Sequence, residues 1–110
     1  MNDFIMAQNN EFDIKGLKLK DENGSLSNIK DNNATSIAKI PKDKEKSVYM
    51  IYFNNNSKYI YNKNNLIIDD EVNILINGEN MIINKEKINH IDIEKDNKSN
   101  RYCITIIYLK

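Results

Sequence analysis

The sequence has 110 residues and a mass of 12.9 kDa, the size of one domain built around a single hydrophobic core. Sixteen basic and sixteen acidic side chains give a net charge of zero, which argues against nucleic-acid binding and against attraction to an anionic membrane. The single cysteine, Cys103, cannot form an internal disulfide and therefore predicts a reducing, cytoplasmic compartment.

The first ten residues are weakly patterned, and residues 3–6 are either a short edge strand or a frayed end. Residues 11–20 form the first clear strand, in which the apolar positions change parity at Gly16. A one-residue bulge at that glycine would return all the apolar side chains to one side of the strand. These side chains are Phe12, Ile14, Leu17 and Leu19. Asn23 and Gly24 then predict a turn.

Residues 25–46 allow two interpretations. The spacing of Ile37, Ile40 and the apolar residues before them suits a short helix over residues 33–40 that ends at Pro41. The alternative is a loop followed by a strand, because Asn, Ser and Thr are poor helix formers. Residues 41–46 alternate in charge and predict a solvated loop.

From Ser47 onwards the sequence predicts short strands separated by polar turns. Residues 47–53 and 58–62 are expected to pair as a hairpin around an asparagine-rich turn. The later strands are residues 66–68, 72–76, 81–83, 88–94 and 101–110. In the last of these both faces are apolar, which predicts a central strand that is covered on both sides.

This pattern predicts a mainly β protein, a single small domain of short antiparallel strands arranged as a meander, a sandwich or a small barrel, with at most one short helix within residues 25–40. Eight residues are predicted to be largely buried. They are Leu19, Met50, Ile74, Ile76, Ile91, Ile93, Ile104 and Ile106.

No motif for catalysis, for a cofactor or for a metal is present. His90, Asp92 and Glu94 project from one side of a strand, but the solvent-facing side of a half-buried strand explains them better than a metal or acid–base site. The three glycines lie too far apart to form a phosphate-binding loop. We therefore expect a protein that is not an enzyme and that holds no cofactor.

The candidate interaction surface is aromatic. Tyr49 and Phe53 share one face of their strand, and Tyr59 and Tyr61 share a face beside Lys58. If these rings are exposed, they form a patch of the kind that is common in protein interfaces. The alternative is that the rings pack in the core with their hydroxyl groups at its rim.

The composition indicates a low-GC bacterium or a mobile element, because 20 asparagines and 19 isoleucines accompany a single arginine. The sequence predicts a small protein-binding module, such as an inhibitor, an immunity or anti-defence protein, or an assembly protein. Its partner is another protein or a second copy of the chain, bound through a sheet face or an edge strand, with no nucleic acid and no membrane involved. The alternative is a ligand-binding or lipid-headgroup-binding module, since the succession of hairpins resembles bacterial PH-like domains, although the C-terminal helix of those domains is missing.

Overall fold

A computed structural model describes residues 5–8, 11–31 and 34–110 of the chain. In this part of the chain nine strands form two antiparallel sheets, and the helical segments are short 3-10 turns. The predicted fold class, a mainly β single domain of antiparallel strands, is confirmed. Of the first ten residues, for which a short edge strand or a frayed end was predicted, residues 5–8 form a strand at the edge of one sheet, and residues 1–4 and 9–10 lie outside the described part of the chain.

The strands follow one another along the chain with short connections. Their bounds are β1 Ile5–Gln8, β2 Phe12–Lys20, β3 Leu26–Asn28, β4 Ala34–Pro41, β5 Lys46–Asn54, β6 Leu66–Ile76, β7 Glu79–Asn84, β8 Ile88–Lys95 and β9 Arg101–Leu109. The 3-10 turns span Ile29–Asp31, Lys63–Asn65 and Lys85–Lys87. All the strand pairs are antiparallel.

The two sheets share one core. The five-stranded sheet has the order β1-β4-β5-β9-β8, and the four-stranded sheet has the order β3-β2-β6-β7. Strand β9 is therefore central, because β5 pairs with one of its edges and β8 with the other. The inward-facing side chains of both sheets form a single buried cluster, in which Ile14 and Leu17 of one sheet accompany Ile51 and Ile104 of the other.

Seven of the eight residues predicted to be in the core are buried, and Met50 is the exception. In β5 the residues Tyr49, Ile51 and Phe53 point into the core, so the alternation of the strand places Met50 on the opposite face. There it lies across from Thr105 of β9 and is half-buried.

The expectation that β9 is covered on both sides is wrong. Ile104 and Ile106 on its inner face are fully buried, whereas Ile107 on the outer face is half-buried and Leu109 is 39% exposed. All the described elements belong to the two sheets or to the turns that join them, and none forms a layer over this face. The outer side chains are shielded only laterally, by those of the neighbouring strands.

The predicted change of side at Gly16 is confirmed, because the apolar side chains before and after it are all buried. The irregularity is larger than a one-residue bulge, since Gly16 alone stands opposite residues 69–72 of β6. Lys15 pairs with Asn73 and Leu17 pairs with Ile68, so the register of β2 against β6 shifts at this glycine. The shift also joins the two predicted strands 66–68 and 72–76 into one strand, β6. Gly16 has a φ of 88°, and a Cβ added to it would collide with the backbone carbonyl oxygen of Glu71.

No α-helix forms among the described residues of the 25–40 segment, and the alternative of a loop followed by a strand is correct. A 3-10 turn at Ile29–Asp31 precedes β4, whose residue Ile37 pairs with both Ala7 of β1 and Ile51 of β5. Because β4 has a partner on each edge, strand pairing outweighs the helical spacing of its isoleucines. Strand β4 extends to Pro41, and β5 begins at Lys46, so the charged turn between them is residues 42–45.

The predicted hairpin between residues 47–53 and 58–62 is wrong. Strand β5 pairs with β4 and β9, and residues 55–62 leave its sheet and cross to the turn between β2 and β3. There Tyr59 forms an isolated bridge with Asp21, and the Glu22 N–H donates to the Lys58 carbonyl at 3.1 Å. This crossing segment joins the two sheets at one end of the sandwich.

Burial on the two faces of β9 predicts that two isoleucines of this strand differ in their contribution to stability. Ile104→Ala should lower the free energy of unfolding by about 2 to 5 kcal/mol, as cavity-creating substitutions do. Ile107→Ala, on the half-buried outer face, should lower it by less than about 2 kcal/mol. Urea denaturation of both variants measures the difference, and equal losses would contradict this assignment of the faces.

Gly16 and Gly24 offer a matched test of the bulge. Both have a positive φ, but a Cβ would meet nothing within 4 Å at Gly24 and would strike the Glu71 carbonyl at Gly16. Gly24→Ala should therefore cost only the backbone strain, about 1 to 2 kcal/mol, and Gly16→Ala should cost clearly more. Thermal and urea unfolding provide the comparison. A Gly16→Ala variant as stable as Gly24→Ala would show that the close approach of β6 is not required.

Candidate interaction surface

The predicted aromatic patch is not exposed. Tyr49, Phe53 and Tyr59 are buried with exposed fractions of 1%, 0% and 6%, and Tyr61 is half-buried against the same core. The interpretation of these rings as an exposed surface is therefore wrong, and the alternative of core packing is correct. The physical reason is the crossing segment, which folds Tyr59 and Tyr61 inward over the end of the sandwich.

These rings form a cluster that closes one end of the core. Tyr61 stacks on Tyr102 with 4.1 Å between ring centroids and lies 5.1 Å from Phe53. Its hydroxyl donates to the Asn54 carbonyl and accepts from the Asn56 N–H. Burial raises the pKa of the Tyr61 hydroxyl. The Tyr59 hydroxyl lies 3.0 Å from the Ser27 hydroxyl, so a hydrogen bond links the crossing segment to β3.

The outer face of the five-stranded sheet is largely apolar, although Ser36, Ala38 and Cys103 within it are themselves buried. On its three inner strands this face carries no formal charge except at the ends, Lys46 and Arg101. The side chains between them are Ser36, Ala38, Ile40, Val48, Met50, Tyr52, Cys103, Thr105 and Ile107. Met6 of β1 adjoins them and is 50% exposed.

The outer face of the four-stranded sheet is different. The buried side chains of β2 alternate with Asp13, Lys15, Lys18 and Lys20, and Lys18 forms an ion pair with Asp69 at 3.2 Å. This face combines charged side chains with the exposed Leu75 and Ile82, the mixed character of a sheet surface in contact with water. The contrast between the two faces identifies the outer face of the five-stranded sheet as the candidate interaction surface, and we refer to it below as the apolar face.

Polar and charged side chains border the apolar face. His90, Asp92 and Glu94 of β8 lie on the same side as the apolar residues of β9, because His90 pairs with Ile107, Asp92 with Thr105 and Glu94 with Cys103. Arg101 lies over the ring of Tyr52, with its guanidinium carbon 5.0 Å from the centroid. The apolar face thus has an acidic border along β8 and one cation at each end.

Two carboxylates with a lowered pKa, Asp43 and Asp96, lie in turns. Among the described residues no cluster of three His, Cys, Asp or Glu side chains is placed to hold a metal ion. The pKa of Asp43 is lowered by the N–H groups of Glu45 and Lys46, and the pKa of Asp96 is lowered by the Lys98 N–H and the Ser99 hydroxyl. Both carboxylates stabilise exposed turns.

Three of the four sheet edges, β1, β3 and β8, are poorly suited to pairing with a partner strand. Strand β1 has four residues and β3 has three, so each offers a short ladder. Strand β8 is longer, but it carries a register shift between Ile88 and His90 and charged side chains along its length. Such features protect edge strands from pairing with other chains. Addition of a partner strand is therefore disfavoured at these three edges.

Comparisons with protein-family models, with curated proteins and with solved structures found no match to this chain. In the described part of the chain, no helix has the length and apolar content needed to cross a membrane.

The sequence signal for the apolar face was the second row of apolar residues on β9, which predicted that this strand is covered on both sides. Cys103 belongs to this row and is 8% exposed. Burial raises the pKa of its thiol, partly offset by contacts with Thr105 and Tyr52.

We expect Cys103 to react slowly with a thiol reagent such as dithionitrobenzoate. The thiolate is the reactive form, and a raised pKa keeps the native thiol protonated at pH 8, where an unfolded cysteine is partly ionised. The reaction should accelerate strongly in denaturant and, in the native protein, should increase only at higher pH. Rapid native reaction at pH 8 would contradict the burial of this side chain.

Proposed function

We propose that this protein is a non-enzymatic protein-binding module and that the apolar face is its interface. The single observation that carries the proposal is an apolar sheet surface with no described element over it, in a protein whose other sheet carries charged side chains on its outer face. An apolar sheet surface that no other layer covers is typical of interaction sites in soluble proteins.

The size of the apolar face supports an interface with another protein. With the usual strand spacing and rise per residue, five strands that each present three outward side chains cover a projected area on the order of 500 Å². That is below the ~800 Å² that each partner buries in an interface of standard size and corresponds to the smaller class of protein interfaces. A flat sheet face of this extent suits a protein surface better than a small molecule, which needs a concave site.

The charges indicate the chemistry of the partner. Asp92 and Glu94 line one side of the apolar face, and β1 on the opposite side contributes the uncharged Met6 and Gln8. A partner with an apolar centre and lysine or arginine side chains facing β8 would complement this arrangement. We therefore infer a heterologous protein partner. The size and composition of the chain are in keeping with an inhibitor, an immunity protein or an assembly protein that acts in the cytoplasm of a low-GC bacterium.

A lysine on the apolar face tests the proposal. Met50→Lys keeps an unbranched side chain on the half-buried outer face of β5 but puts a charge at the centre of the interface. Leu75→Lys places the same charge on the outer face of the four-stranded sheet, where Leu75 is 37% exposed, and so serves as the control. Both variants should remain folded, as judged by circular dichroism and thermal unfolding.

The partner is first captured from the native host with the unmodified chain and is then purified. The measurement is the affinity of each variant for this purified partner. Met50→Lys should weaken this affinity by about thirtyfold or more, as changes at the centre of an interface do, and Leu75→Lys should leave it nearly unchanged. A partner that binds both variants equally well would show that the interface lies elsewhere. If only Leu75→Lys abolished binding of the partner, the interface would lie on the outer face of the four-stranded sheet.

A further inference from the structure

A cleft between the two sheets lies away from the apolar face. It opens where β7 passes the ends of β4 and β9, and it has a volume of about 440 Å³. Sites that hold small molecules have volumes of roughly 300 to 1,000 Å³. The cleft is therefore large enough for a small organic ligand.

The floor of the cleft is apolar and well supported. Ile83 of β7 and Tyr108 of β9 line it, with exposed fractions of 2% and 4%. The ring of Tyr108 stacks on the buried ring of Tyr49, with 5.6 Å between centroids and 13° between planes. Met81 and Leu109 line the cleft beside these two residues. This apolar floor is preformed, since the buried side chains of Ile83 and Tyr108 belong to the core.

The charged side chains that line the cleft are all positive. Lys39, Lys87 and Lys110 line it, and no acidic side chain does. Within the described ranges none of these three lysines forms an ion pair with a carboxylate, although the Lys110 ammonium donates to the Asp43 backbone carbonyl at 3.1 Å. In a protein with no net charge, this is a local concentration of cations beside an apolar wall.

A neighbouring cavity indicates how an anionic ligand would be oriented in the cleft. It has a volume of about 260 Å³, shares Lys39 and Met81 with the cleft, and is lined also by Glu79. A negatively charged group would be repelled by Glu79 and attracted towards Lys87 and Lys110 at the other side. The hydrocarbon part of such a molecule would then lie against Ile83 and Tyr108.

We propose that this cleft binds a small amphipathic anion, a free carboxylate with a single aliphatic or aromatic body. Ammonium groups on flexible stems hold a single carboxylate without the bidentate geometry that arginine supplies for phosphate. The described residues at the cleft include no arginine and no glycine, so a nucleotide phosphate has no dedicated partners there. The proposal is independent of the apolar face, because the cleft lies between the sheets and either site can fail without the other.

The test uses decanoate below its micelle concentration, followed by NMR of the assigned protein and by calorimetry. Decanoate should shift the resonances of Ile83, Tyr108 and Met81 in a saturable way. Decanol, which has the same chain without the charge, should bind at least about tenfold more weakly. Decyltrimethylammonium, with the opposite charge, should not shift these resonances.

Matched lysine variants test the charge contribution. The double variant Lys87→Gln with Lys110→Gln should bind decanoate about tenfold more weakly than the unmodified chain. The control is Lys15→Gln with Lys95→Gln, which removes two exposed lysines that do not line the cleft and should bind normally. All four positions are exposed, so neither double variant should unfold the protein.

Several outcomes would overturn the proposal. Equal binding of decanol and decanoate, or undiminished binding by the Lys87→Gln and Lys110→Gln variant, would remove the role of the lysines. Shifts confined to the apolar face would place the ligand elsewhere. Retention on phosphatidylserine vesicles without any saturable binding of decanoate would mean that the lysines attract a membrane surface rather than a free carboxylate.

Discussion

The pairing of β5 with β9 is the interaction on which the rest of the structure depends. The two strands pair without a register shift from Lys46 opposite Leu109 to Asn54 opposite Arg101. The inward sides of this ladder place aromatic and branched side chains at the centre of the core, and β4 and β8 attach to its two outer edges. The outward sides of the same ladder form the middle of the apolar face. One ladder therefore supplies both the core and the proposed interface, so substitutions on its two faces should separate stability from binding.

Much of the strand content could be predicted from the sequence because alternation is a local property. The parity change at Gly16 was sufficient to locate an irregularity in β2, and seven of the eight core residues followed from the same alternation. Strand partners depend on contacts that are distant along the chain, and these were not predictable in the same way. Residues 58–62 have the composition of a returning strand, yet their bonds to Asp21 and Glu22 draw them across to the other sheet.

The candidate sites were less predictable than the fold. The last strand was correctly predicted to carry apolar side chains on both faces, but alternation alone does not show whether a second apolar face has a layer over it. Tyrosines divide between cores and interfaces for the same physical reason, since an apolar ring carries a polar hydroxyl. The lysines of the cleft come from three separate segments of the chain, so only the folded structure brings them together.

The central place of β9 has a consequence for the order in which the sheets mature during translation. The four-stranded sheet is built from residues 12–84, so all its strands emerge from the ribosome before strands β8 and β9. Until residues 101–109 follow, β5 and β8 each present an unpaired edge beside an apolar surface. Such edges are where nascent chains aggregate or pair with the wrong partner. The five-stranded sheet therefore closes only after β9 has become available, and until then its open edges are the part of the chain most exposed to wrong pairing.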